Sequence, residues 1–315
     1  MRPLVSVVTP CYGQGHFLPD AIESVLAQRM TDLELIVVDD GSPDDTNRVT
    51  QRYSARDPRV RRVAQSNHGL ARARNAGLQR AGGTYVVFLD ADDRLHPEAL
   101  CAGIASLEQD PRAVYTRGRF DVIDVQGHVI DRIADDGPRC NDEYELLLRD
   151  NPIWVPAAVM FRRAIFESNA PFDWRVDAAA DLELYLRLAR LYPVTSHASV
   201  VAQYRRHAHN MSMNPMVMAP AMLGVLDAQR RYVGSNRRWR AAQQYAMREW
   251  ERRHLIPMMR RALRELLRGD GQSMVAGLPL IVSRGPGAVA RASLRRLRPG
   301  SRNGPSEIEA ASSMA

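Results

Sequence analysis

The sequence contains no lysine, so all 43 of its basic residues are arginines. This absence excludes chemistry that needs a lysine amine, such as a Schiff base or a P-loop. Only three cysteines are present, far apart in sequence, which excludes a disulfide framework and favours a reducing compartment, the cytoplasm. Long apolar runs are missing too. No segment reaches the roughly 18 residues of a membrane span, and the N-terminus lacks a signal-peptide pattern.

Positive charge is concentrated in the last third of the chain. The net charge is +7, but residues 1–215 carry −4 and residues 216–315 carry +11. This basic region has helical spacing, which predicts either docking at the anionic inner face of a membrane or a solvated hairpin packed on the remaining chain. Nucleic-acid binding, a less favoured alternative, would need aromatic platforms that the region lacks, so we expect no nucleic-acid partner.

The first ninety residues alternate strand-like and helix-like patterns. This β-α alternation predicts an α/β fold with a Rossmann-like, mostly parallel sheet, in which ligands bind at the carboxyl ends of the strands. The unbroken apolar run at 84–89 indicates a strand buried on both faces. The expected strands lie at 4–9, 33–38, 60–64 and 84–89, and the expected helices at about 16–28, 44–56 and 69–81.

Two acidic clusters begin where apolar strands end. Asp39 and Asp40 follow the second expected strand, and Asp90 and Asp92 follow the fourth. Both clusters should therefore meet at one edge of the sheet. Carboxylate oxygens suit Mg²⁺ or Mn²⁺. An isolated Asp-x-Asp is more often only a solvated turn. The two acidic clusters together are therefore stronger evidence for a metal site than either cluster alone.

Four segments together resemble the family 2 glycosyltransferases, in order and in spacing. The resemblance extends from residue 4 to about 212 and implies a single glycosyltransferase A-type domain. It also implies transfer, with inversion, of a sugar from a nucleoside-diphosphate donor, UDP-linked, to a hydroxyl of a glycan or lipid-linked acceptor. Such a reaction suits the synthesis of a cell-surface polysaccharide or glycolipid. The segments are PCYG at 10–13, DDGSPDDT at 39–46, NHGLARARNAG at 67–77 and GTYVVFLDADD at 83–93.

The resemblance also implies roles for individual residues. Tyr12 would pack on the nucleobase, Asp40 would hydrogen-bond it, and Arg72 would lie near the phosphates, although an exposed helix-face position is its alternative. Gly13 departs from the family, which usually has Asn there. The implied nucleotide-binding residues are Pro10, Tyr12, Asp40, Arg72 and Asp90, and the implied ligands of the Mn²⁺ or Mg²⁺ cofactor are Asp92 and His207. The alternatives are simple loop packing for Tyr12 and a surface position for His207.

The catalytic base implied by the resemblance is Asp181, at the start of a helix expected over 181–191. Its alternative role is helix N-cap. The family's preceding Glu is replaced by Ala180, which leaves Glu183 as a rival base. Glu183 lies about 200° round the helix from Asp181, so both cannot face one cleft.

The expected organisation has three parts. A catalytic domain at 1–215 would combine a nucleotide-sugar-binding half, 1–110, with an acceptor half, 111–215. A basic helical extension at 216–297 and a disordered tail at 298–315 would follow. A nucleotidyltransferase is the alternative enzyme, although its usual basic Gly-rich loop is missing. An oxidoreductase would need GxGxxG, and position 18 is Leu.

Overall fold

The computed structural model describes residues 2–133, 142–258 and 260. Residues 1–251 form one compact unit, and a second begins at Arg252. The strands are β1 Val5–Cys11, β2 Leu33–Asp39, β3 Val60–Ala64, β4 Tyr85–Phe88, β5 Arg94–Leu95, β6 Tyr115–Ile123, β7 Val129–Arg132, β8 Val159–Arg162 and β9 Thr195–Arg205. The helices are α1 Leu18–Leu26, α2 Thr46–Ser54, α3 Leu70–Arg80, α4 Ala99–Gln109, α5 Glu143–Arg149, α6 Ile165–Ser168, α7 Ala180–Leu191, α8 Pro215–Ala228, α9 Arg230–Val233 and α10 Arg237–Trp250.

One sheet runs through the compact unit in the order β3-β2-β1-β4-β8-β6-β9-β5, with β7 paired to β6. The first four strands are parallel to one another, as their alternation with helices predicts. Beyond β4 the sheet becomes mixed, because β8 runs antiparallel to both β4 and β6 while β6 and β9 are parallel. The expected α/β fold with a Rossmann-like parallel core is confirmed.

Helices cover both faces of the parallel sheet, which explains why β1, β2 and β4 are mostly apolar and buried along their whole length. Helix α3 approaches this sheet very closely at Gly77. A Cβ atom added there would lie 2.3 Å from Val8 Cγ1 and 3.0 Å from Val38 Cγ2. Only glycine therefore lets α3 pack at this depth, and α3 begins beside the carboxyl ends of β1 and β2.

The described part of the basic extension is helical and is broken at Gly234, which has φ +48°. Helix α8 packs against residues 174–179, and α10 packs against α5, within the same compact unit as the sheet. The three-part division stays a prediction, and its tail at 298–315 lies outside the described residues. None of the helices in the described ranges has the length and hydrophobicity to cross a membrane.

Candidate active site

A cleft of about 390 Å³ lies at the carboxyl ends of β1, β2 and β4. Both halves of the sheet contribute to it: residues after β1, β2 and β4 form one side, and Trp154, Asp181 and Asn210 form the other. The structure thus brings together most residues that the sequence singles out. Those that line the cleft are Pro10, Tyr12, Asp40, Asp90, Asp92 and Asp181.

The neighbouring carboxylates of Asp39 and Asp40, at the end of β2, make different hydrogen bonds. Asp40 is buried at the cleft, where it accepts hydrogen bonds from Gln65 Nε2 at 2.7 Å and from the backbone N–H groups of His68 at 2.9 Å and Gly69 at 3.0 Å. Asp39 turns away and accepts from Ser42 N and Arg62 Nη2. Asp40 therefore fixes the loop that precedes α3, and Asp39 fixes the turn after β2.

The loop after β1 presents Tyr12 to the cleft, with 52% of the residue exposed. Gly13 follows with φ +67°, a left-handed conformation that glycine and asparagine adopt more readily than other residues. A Cβ atom at Gly13 would meet nothing within 4 Å, so the Asn usual in the family would also fit. Glycine in place of the family's asparagine at position 13 is therefore structurally conservative. The exposed ring of Tyr12 is accessible to a flat ligand.

The two residues implied as metal ligands lie together. His207 Nε2 is 2.9 Å from Asp92 Oδ2, and Gln14 Nε2 donates to the same oxygen at 2.9 Å. The His207 ring stacks on Phe17, with the ring centroids 5.0 Å apart. Next to Asp92, burial and the charges of Asp92 and Asp90 raise the pKa of Asp93 well above its ordinary value. Three carboxyl groups thus lie close together after β4, where a bound cation would favour their ionised forms.

The donor set at Asp92 fits a divalent cation that the substrate helps to bind. Within residues 2–133, 142–258 and 260, no three His, Cys, Asp or Glu side chains are placed to hold a metal by themselves. Asp92 and His207 offer one carboxylate oxygen and one imidazole nitrogen. Mg²⁺ in nucleotide enzymes commonly binds one or two carboxylates together with substrate phosphates and water. Two protein ligands therefore suffice if a diphosphate supplies the others.

Arg74, which was not among the residues predicted from the sequence, is a buried cation in the lining of the cleft. Arg74 is only 3% exposed. Its Nη2 donates hydrogen bonds to both carboxylate oxygens of Asp90, at 2.7 and 3.0 Å. Arg72 lies on the exposed side of α3, with its guanidinium 4.1 Å from the centre of the Trp174 ring, and does not line the cleft. Two positions on a helix differ by about 200°, so the two arginines face opposite ways. The nucleotide contact of Arg72 stays a prediction.

Asp181 is the second residue of α7 and is half-buried in the cleft. It does not cap the helix; its Oδ1 accepts from the adjacent Leu182 N at 2.7 Å. Burial raises the pKa of Asp181, and the charge of Arg74 partly opposes that rise. Glu183 instead forms an ion pair with Arg187 at 2.9 Å and lines a separate cavity. Of the two rivals, only Asp181 faces the cleft.

Comparison with known proteins gives a consistent result. The family model described as "Glycosyl transferase family 2" matches residues 6–169. An uncharacterized glycosyltransferase, alr2836, of Nostoc sp. is 31% identical over 218 residues, 67% of each chain. EpsJ of Bacillus subtilis, also an uncharacterized glycosyltransferase, is 31% identical over 58% of this chain and 54% of its own. Chondroitin synthase of Escherichia coli is 30% identical over 68% of this chain. The chain spans about half of EpsJ and 30% of chondroitin synthase.

Solved structures share the fold at low sequence identity. TarS of S. aureus in complex with UDP superposes with a TM-score of 0.56 at 17% identity, over 79% of this chain and 71% of that one. The mannosyltransferase PcManGT of Pyrobaculum calidifontis in complex with GDP-Man and Mn²⁺ superposes with a TM-score of 0.57 at 16% identity. The match covers 94% of this chain and 85% of PcManGT. The expected architecture is confirmed by both.

Proposed function

Since the chain belongs to the family 2 glycosyltransferases and has their A-type fold, we propose that it transfers a sugar from a UDP-linked donor to an acceptor hydroxyl, with inversion. One observation carries this proposal: a single cleft is lined by three separate carboxyl groups, those of Asp40, Asp92 and Asp181. The complexes of TarS with UDP and UDP-GlcNAc support a uridine donor. The chondroitin synthase relative supports a role in polysaccharide synthesis. The acceptor in this proposal is a glycan or a lipid-linked sugar.

The nucleotide would lie along the loop after β1. Tyr12 would pack on the base beside Pro10, and Asp40 would accept a hydrogen bond from it. Asp90, held by Arg74, would accept from the ribose hydroxyls. Asp92 and His207 would hold Mn²⁺ or Mg²⁺, which supplies positive charge to the departing diphosphate.

Asp181 would act on the acceptor. As the acceptor oxygen forms its bond to the anomeric carbon, its proton passes to Asp181, and the bond from that carbon to the diphosphate breaks. The electron pair of the broken bond leaves with the nucleoside diphosphate. A base whose pKa is raised by burial binds the proton more strongly than an ordinary aspartate does.

A nucleotide screen tests the proposal directly. The melting temperature of the full chain should rise with UDP or a UDP-sugar only when Mn²⁺ or Mg²⁺ is also present, since a ligand that binds the native state stabilises it by mass action. CDP and ADP serve as matched controls. Stabilisation by nucleotide after chelation of all metal, to the same extent as with metal, would contradict the metal-assisted site.

We also propose peripheral attachment to an anionic membrane surface through the basic residues beyond 215. Each arginine near such a surface contributes about 1 kcal/mol at most, and this attraction is screened within about 10 Å at moderate salt. The chain should therefore float with vesicles that contain phosphatidylglycerol, and dissociate in 1 M salt. Flotation that is equal with neutral vesicles would rule out the electrostatic attachment.

A further inference from the structure

A second cavity, of about 300 Å³, adjoins the nucleotide cleft at Asp181. The two cavities share Trp154, Asp181, Ser212 and Met218. The inner walls of the second cavity, which we name the apolar groove, come from α5, α8 and α10. The side chains that define it are Leu147, Leu148, Met222, Leu226, Ala246 and Trp250.

We propose that the apolar groove binds the hydrocarbon chain of a lipid-linked acceptor, whose sugar hydroxyl lies at Asp181. This inference rests on the proposed function, because Asp181 is then the base that the acceptor must reach. A molecule in the groove lies against Asp181 on the side away from the loop after β1, where the nucleotide is proposed to bind. The groove's occupant is therefore the acceptor itself, or a part joined to it.

The side chains of the groove's walls indicate which part of the acceptor binds there. Leu, Met and Ala side chains cannot hydrogen-bond to the hydroxyls of a glycan, whereas they gain free energy by covering an apolar chain. The polar residues of the lining belong to the segment 149–151 or, like Asp181 and Ser212, are shared with the cleft. Asn151 Oδ1 is buried and has no hydrogen-bond partner among the described residues. This oxygen would accept from a hydroxyl of the acceptor's head group.

An exposed apolar surface continues from the junction between the cavities. The segment 211–217 follows β9 and leads into α8, and it presents Met211, Met213, Met216 and Val217 to solvent. Four exposed apolar side chains within seven residues form a patch, and Met213 is its most exposed member at 58%. Methionine is flexible and adapts to irregular apolar ligands. A hydrocarbon chain longer than the groove would thus still find apolar contact outside it.

The test compares methyl, butyl and octyl β-glucoside, all below their micelle concentrations, as probes of the full chain. Tryptophan emission reports binding, because Trp154 and Trp250 line the groove. Each methylene buried is worth about fourfold in affinity, so octyl should bind on the order of tenfold or more tightly than butyl even with partial burial. Equal affinities for the three chain lengths would overturn the inference.

Two variants and a control test whether the alkyl glucosides bind in the apolar groove. Met222→Glu adds a charge inside the groove, where this residue is 5% exposed, and Ala246→Phe fills the volume without a charge. Either change should abolish the dependence on chain length, and melting curves establish that at least one variant folds. Ile130→Glu alters an exposed apolar residue of β7 outside the groove and should have no effect. An effect of Ile130→Glu as large as that of Met222→Glu would indicate nonspecific adsorption and refute the groove.

Binding of UDP with Mn²⁺ to the unmodified chain separates the two hypotheses. If UDP binds and the alkyl chain length has no effect, the lipid-linked acceptor is wrong and the glycosyl donor site stands. If alkyl chains bind at the groove and no nucleotide binds with any metal, the proposed function fails, and with it the assignment of the groove's ligand as an acceptor.

Discussion

Asp181→Asn should lower the transfer rate at saturating donor by on the order of 10²–10⁴, while the affinity for donor changes little. The amide retains the shape of the side chain and the oxygen that accepts from Leu182 N, but it cannot take up a proton. The acceptor hydroxyl would then have no base as its bond to the sugar forms. The measurement is transfer to a competent acceptor, found by screening glucosides and glycans, alongside calorimetric titration of UDP.

The matched control is Glu183→Gln, two residues further along α7. Glu183 pairs with Arg187 away from the cleft, so this variant should retain most of its rate. The pH dependence gives a second readout. Because burial raises the pKa of Asp181, activity should be present above this raised pKa and fall as the pH drops through it. An active Asp181→Asn enzyme with a dead Glu183→Gln enzyme would reverse the two roles.

Asp92→Ala should reduce the Mn²⁺-dependent affinity for UDP by at least on the order of 100-fold, since even the residues that support a metal's ligands commonly contribute 10- to 100-fold. The chain should remain folded, because the substitution removes a charge that opposes the neighbouring Asp93 in its buried position. Calorimetric titration of UDP with Mn²⁺, and again after chelation, measures the metal-dependent part of the affinity.

Asp110→Ala is the matched control for that experiment. Asp110 is a carboxylate remote from the cleft, where it pairs with the exposed side chain of Arg112. Its removal should leave nucleotide affinity unchanged. If folded Asp92→Ala protein binds UDP with Mn²⁺ as tightly as the parent chain does, then the carboxylate is not a metal ligand.

The sequence predicted the parallel half of the fold well because each of the buried strands is mostly apolar and ends at a polar turn. β4, for example, is apolar throughout and lies at Tyr85–Phe88, inside the expected range 84–89. The same logic placed Asp40 and Asp90 at one edge of the sheet. The antiparallel insertion of β8 between β4 and β6 had no such local signal, since long-range pairing depends on the whole sheet.

Side-chain direction was harder to predict than position in the chain. Arg72 and Arg74 are chemically identical, and only the rotation of α3 decides which one is buried with Asp90. A usable signal was present, because Arg74 shares the buried face of α3 with Gly77 and Leu78 at helical spacing. The apolar groove was not predicted either, although Ala246 belongs to the buried face of the arginine-rich helix α10. Residues from distant segments form the groove, and no local pattern reveals it.

The hydrogen bonds already made by Asp40 limit which nucleobases the cleft can accept. A carboxylate has four lone-pair positions, and Gln65, His68 and Gly69 each occupy one. One position is left, and it can only accept. Uracil and guanine carry a ring N–H that donates to such an oxygen, whereas cytosine and adenine present a ring lone pair at the corresponding place. Discrimination by Asp40 would thus depend on which ring nitrogen holds a proton: uracil and guanine, a pyrimidine and a purine, both donate from the ring, whereas cytosine and adenine would have to donate from their exocyclic amino groups.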